Sequence, residues 1–157
     1  MRHSTWLMVV LGVLSASSTV QAADALAGER KILEQAIILA ALQSVRPRIV
    51  LTSERPATRS PGVEGWTVNG EDGKGYQIFV YTRSRTFQCA SGGQDANRCL
   101  LKLASVIVHE AWHLKNGPDE AAAYTAQEAF LEFNHASPVL ITEIRQARRR
   151  VLSHAAR

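Results

Sequence analysis

RCLLKLASVIVHEAWHLK (residues 98–115) runs into NGP (116–118) and then DEAAAYTAQEAFLEFNHA (119–136). The first piece is strongly apolar at helical spacing and reads as a largely buried helix. The middle piece ends it. Asn116 or Gly117 can take the left-handed position that closes a helix, and Pro118 prevents continuation. The Ala-rich third piece is strong helix-forming composition, so a second helix follows at once.

The rest of the chain is placed around this pair. Before it, DALAGERKILEQAIILAALQSV (24–45) is apolar at helical period, with Asp24 as a possible N-cap, and should stop before Pro47. RIVLTS (48–53) reads as a short buried strand, and ERPATRSPG (54–62) as a loop broken by Pro56 and Pro61. VEGWTV (63–68) and YQIFVYTRSRTF (76–87) read as strands flanking the turn NGEDGKG (69–75), so they pair as an antiparallel hairpin. After it, SPVLITEIRQARRRVLSHAA (137–156) is a third C-terminal helix, with Ser137 as cap and Pro138 in its first turn. The expected class is α+β: an N-terminal helix, a small antiparallel-rich sheet, then three helices. No repeat, low-complexity tract or long linker divides it.

The first segment has another reading. Arg2, the apolar run LMVVLGVLSA and the small-residue end VQA follow the order of a secretory signal peptide, with cleavage expected after Ala22. The run is too short to span a bilayer, which takes roughly 20 residues. An uncleaved anchor is the alternative. Cleavage leaves residues 23–157, or 157 − 22 = 135 residues, enough for one domain. That domain carries 17 basic and 14 acidic side chains, 17 − 14 = +3, a mild excess that implies no nucleic acid. An exported chain, periplasmic or secreted, meets an oxidising environment. Its two cysteines, Cys89 and Cys99, then read as a disulfide closing the Gly-rich loop ASGGQDANR. Free thiols or a second metal site are the alternatives, but the spacing matches no common zinc pattern.

His109, Glu110 and His113 form His-Glu-x-x-His inside the expected helix. Residues i and i+4 share a helix face, so both imidazoles can reach one Zn2+ ion. Glu110 stands one step round, near the ion's open side, where it can take a proton from a bound water. Catalytic zinc takes three protein ligands. Asp119, Glu120 and His135 are the candidates for the third. A His at 119 would complete the metzincin pattern, but this chain has Asp119 there and Asn116 in place of the motif's Gly. Metzincins also need a downstream Met-turn, and the only methionines, Met1 and Met8, lie in the leader.

HEAWHLKNGPDEAAAY (109–124) resembles the gluzincins, and within them the compact bacterial minigluzincins. The resemblance is close over this stretch alone; beyond it only the order of elements is shared. It implies Glu120 as third ligand, from the first turn of the second helix. It implies a zinc metallopeptidase that hydrolyses peptide bonds with Glu110 as general base. It also implies a substrate strand laid along an edge strand ahead of the zinc helix, which here is Tyr76 to Phe87. Larger gluzincins carry a carboxylate four residues after the ligand Glu, where this chain has Tyr124. Asp119, Tyr124 and His135 remain open for supporting a ligand or stabilising an oxyanion.

Two other classes stay in view. One is a non-catalytic extracytoplasmic zinc protein, with Asp119 or His135 closing the site as a fourth ligand. The other is an interaction protein using the basic run RQARRR (145–150), which otherwise reads as a solvated helix face. No Ser-His-Asp order, phosphate loop or dinucleotide fingerprint is present. No stable membrane insertion is expected once the leader is removed.

Overall fold

The computed structural model describes residues 14–41, 48–59, 62–68 and 77–155. Their order is α1 (Leu14–Leu39), β1 (Arg48–Thr52), β2 (Gly65–Val68), β3 (Gln77–Tyr81), α2 (Arg85–Ala90), α3 (Ala96–Asn116), α4 (Glu120–Phe133) and α5 (Pro138–Ala155). The class is α+β, as expected. The expected stop at Pro47, the Asn-Gly turn at 69–75, Pro61 and Tyr76 lie outside the described residues.

The helix α1 begins well before Asp24, and the expected cleavage point after Ala22 falls inside it. No proline interrupts SASSTVQAADALAG, and the Ala-rich part after Val20 favours helix. The helix ends at Leu39, before the expected stop, and Ala41 adopts a left-handed φ of 53°. Ile32 and Ala36 on the helix, with Ala40 just past its end, are four apart and form its buried stripe. Among the described residues no helix is long and apolar enough to cross a membrane.

The sheet has the order β1-β3-β2. β2 and β3 pair antiparallel, with Trp66 opposite Phe79, as the hairpin reading requires. β1 and β3 pair parallel, from Arg48↔Gln77 to Thr52↔Tyr81, so the sheet is mixed rather than antiparallel-rich. Ile78 and Val80 are fully buried on one face of β3. On the other face Trp66 and Phe79 stack with ring centroids 5.5 Å apart.

Two expectations for Tyr76 to Phe87 are corrected. The strand stops at Tyr81, because Ser84 caps a new helix: its hydroxyl accepts from the Phe87 N–H at 3.1 Å. The resulting α2 sends Phe87 into the core, 1% exposed. β3 is also the central strand, paired on both sides, and offers no free edge for a substrate. The free edge near α3 belongs to β2.

α3 is the hub. It packs against α1, α2, α4 and the sheet, and buries Leu103, Ala104, Ile107 and Ala111. The Cys89–Cys99 disulfide is formed, with Cα atoms 5.7 Å apart. It joins α2 to the first turns of α3. A second cluster, Leu131, Ala136, Leu140 and Ile144, holds α4 to α5.

Candidate metal centre

The break after α3 builds the centre. Gly117 closes the helix with φ 91° and ψ −160°, a region that is essentially glycine-only, and its N–H bonds the His113 carbonyl at 3.0 Å. Its own carbonyl oxygen lies 2.7 Å from His113 Nδ1. A carbonyl only accepts, so Nδ1 carries a proton, and in the neutral ring Nε2 is the nitrogen with the free lone pair. Asp119 then caps α4, its carboxylate accepting from the Ala122 N–H at 3.0 Å. That cap turns the first residue of α4, Glu120, back toward α3.

The outcome is a group of three: His109 (Nε2), His113 (Nε2) and Glu120 (carboxylate), with donor atoms within 4.8 Å of one another. His109 Nε2 lies 3.2 Å from His113 Nε2 and 3.2 Å from Glu120 Oε2, and His113 Nε2 lies 3.6 Å from Glu120 Oε1. Donors at about 2.0–2.1 Å from a tetrahedral zinc stand about 3.3 Å apart. The donor set, two imidazoles and a carboxylate, is also zinc chemistry, so the residues fit the ion. His109 is 7% exposed, while the Glu120 side chain is 53% exposed. The ion would therefore sit at the inner end of an opening rather than sealed in the core.

Glu110 lies beside this group, 7% exposed. Burial pushes its carboxyl above the ordinary range, partly opposed by His109 and His113. Glu120 is held below that range, first by its hydrogen bond with His109 and against its own partial burial. Glu110 sits under β2, which comes very close. A Cβ on Gly65 would stand 3.0 Å from Val106 Cγ1 and 3.2 Å from the Phe79 carbonyl oxygen. A side chain there would press on both α3 and β3, so glycine eases the close approach.

Tyr124 packs on His109, ring centroids 4.6 Å apart in a T-shaped contact. Burial, then Glu120 and Glu110, raise its hydroxyl's proton affinity. His109 Nδ1 is buried and has no hydrogen-bond partner among the described residues. Trp112, between the two histidines, is half-buried and meets the His113 ring edge-on.

The structure separates the remaining candidates. Asp119 is spent on the cap and is not in the donor group. His135 is exposed in the α4–α5 turn at φ 52°, and does not line the cavity above the centre. Neither fills the roles left open for it as ligand, fourth ligand or oxyanion stabiliser. That cavity measures about 810 Å³, within the range of small-ligand sites. Its walls include residues that no sequence motif announces: Arg59 and Gly65 around β2, Gln127 on α4, and Ile144 and Arg150 on α5. Gln127 is buried and donates to Ser105 Oγ at 3.0 Å, joining α4 to α3 across the floor.

The basic run on α5 is partly consumed within the fold. Arg145 pairs with Glu128 and, at 2.7 Å, with Glu132; Arg148 lies 3.8 Å from Glu128. Comparison of the chain with family models, curated proteins and solved structures gives no match.

Proposed function

We propose that the protein is a zinc-dependent metallopeptidase of gluzincin type, exported and acting outside the cytoplasm. The observation that carries this reading is the three-donor group His109, His113 and Glu120, with buried Glu110 lining the same open cavity. Neither proposed fourth ligand approaches it, which favours a site with room for substrate over a closed structural one.

When bound there, zinc supplies a Lewis acid that polarises the scissile carbonyl and acidifies a water. His109, His113 and Glu120 hold it. The Gly117 carbonyl fixes His113 in the tautomer that leaves Nε2 free to bind. Glu110 accepts the proton of the attacking water and returns it to the departing amine nitrogen. Its burial suits that exchange, because a carboxylate with raised proton affinity is the better base near neutral pH. Tyr124 faces the same cavity, where its hydroxyl is available as a hydrogen-bond donor to the developing oxyanion. The substrate's backbone is held along the free edge of β2, which lines the cavity, in place of the strand expected at Tyr76 to Phe87.

The test combines metal content with turnover. Wild-type protein should bind one zinc and cleave an unstructured protein substrate. Glu110→Gln should keep the zinc and lose the cleavage, and Glu120→Ala should lose both. Undiminished hydrolysis by zinc-loaded Glu110→Gln would sink the mechanism.

A further inference from the structure

The cavity extends past the three metal donors, and its charges divide into those already engaged and those not. Lys102 bonds Glu143 at 2.6 Å and lies 3.6 Å from Glu64, so one ammonium serves both of those wall carboxylates. Glu110 and Glu120 belong to the metal centre. Two guanidinium groups remain, Arg59 ahead of β2 and Arg150 on α5. Neither forms an ion pair among the described residues. Both reach the centre electrostatically, Arg59 at Glu110 and Glu120, and Arg150 at Tyr124. The contrast within α5 is informative. Arg145 and Arg148 face α4 and find Glu128 and Glu132 there, whereas Arg150 lines the cavity and finds no acid.

We propose that the cavity selects peptides bearing a carboxylate close to the bond presented at the metal centre, with Arg59 and Arg150 as the groups that bind it. This rests on the metallopeptidase reading and specifies its substrate class. A guanidinium is permanently charged and meets a carboxylate through two parallel N–H donors. Two such groups on different walls of one concave site also raise the local concentration of anionic peptide. A C-terminal carboxylate and an acidic side chain offer the same chemistry, and the experiment separates them.

Zinc-loaded Glu110→Gln full-length protein is titrated calorimetrically with three alanine-based tetrapeptides. One has a free C-terminus, one is amidated, and one is amidated with a single internal glutamate. At least one anionic peptide should bind about tenfold more tightly than the neutral one, the modest gain expected of charge-assisted hydrogen bonds from exposed arginines. A stronger free-acid peptide assigns a terminal carboxylate; a stronger glutamate peptide assigns a side chain. R59Q and R150Q should each cut the preference for the anionic peptide over the neutral one about threefold to fivefold. In the unsubstituted arginine background, raising the salt from about 0.05 M to about 0.5 M should shrink the preference alone. Equal binding of all three peptides overturns the proposal, as does a preference indifferent to both salt and the arginine substitutions. Wild-type hydrolysis of the same peptides is scored separately. Selective binding without turnover refutes the peptidase reading and keeps the selectivity; turnover without selectivity does the reverse.

Discussion

Gly117→Ala tests the link between the helix break and the metal centre. Gly117 has φ 91° and ψ −160°, and nothing lies within 4 Å of where a Cβ would stand. The cost is therefore backbone strain alone, about 1–3 kcal/mol. For roughly 130 folded residues the unfolding entropy is about 0.27 kcal/mol/K, so the metal-free melting temperature should fall by about 4–11 °C. The strain is relieved by rotating the 117–118 peptide, which pulls the carbonyl from His113 Nδ1, now 2.7 Å away. Loss of such an orienting partner lowers metal affinity by about 10–100-fold. Zinc affinity is read by competition with a chromophoric chelator, and stability by circular dichroism on the metal-free protein. A lower melting temperature with unchanged zinc affinity would show that the carbonyl does not hold His113. No change in either would refute the backbone conformation itself.

Three further outcomes follow from the same geometry. Because burial raises the Glu110 carboxyl above 4.5, the folded metal-free chain binds that proton more tightly than the unfolded chain. Its stability then falls as pH rises from the unfolded value through the folded one. Glu110→Gln removes that loss, so its melting-temperature advantage should widen from about pH 4 to about pH 8; a constant difference refutes the assignment. Reducing Cys89–Cys99 should cost about 3 kcal/mol, seen as a melting point roughly 10 °C lower, and equal melting with and without reductant counts against it. Asp119→Ala should remove a cap worth about 1 kcal/mol yet keep one zinc per chain, whereas a metal-free variant would restore Asp119 as a ligand.

The helical frame was legible because its signals are local. The apolar period of α3, the NGP break and the Ala-rich start of α4 each act within a few residues, and together they set Glu120 opposite His109 and His113. The disulfide was legible from parity and loop composition. What sequence reasoning missed is non-local or masked by composition. TRSRTF is β-branched and aromatic, which concealed Ser84 as an N-cap and hence α2. The hairpin logic found the β2 partner of β3, but nothing near β3 announces β1 on its other side. That second pairing is what moves the free edge to β2. The cavity's far wall, with Ile144 and Arg150, depends on how α5 crosses α4, and a periodic pattern carries no crossing angle.

The two histidines are held by different means, and the difference explains Tyr124. His113 is fixed by a hydrogen bond from Nδ1 to the Gly117 carbonyl. His109 Nδ1 has no hydrogen-bond partner among the described residues, although a metal-bound histidine usually donates that proton to a carboxylate or carbonyl. Tyr124 lines the cavity, and a carboxylate at that position would need its own solvation or pairing inside the wall. Here the phenol ring packs on His109 instead, and the imidazole is oriented by contact: Tyr124 on one side at 4.6 Å, His113 on another at 4.8 Å. Packing of this kind fixes the ring plane and burial without adding a negative charge beside Glu110 and Glu120. An added charge would raise the proton affinity of Glu110 further, work against the lowering at Glu120, and offset Arg59 and Arg150. A neutral residue at 124 thus leaves the lowered proton affinity of Glu120 unopposed, and keeps the cavity's unpaired charge positive.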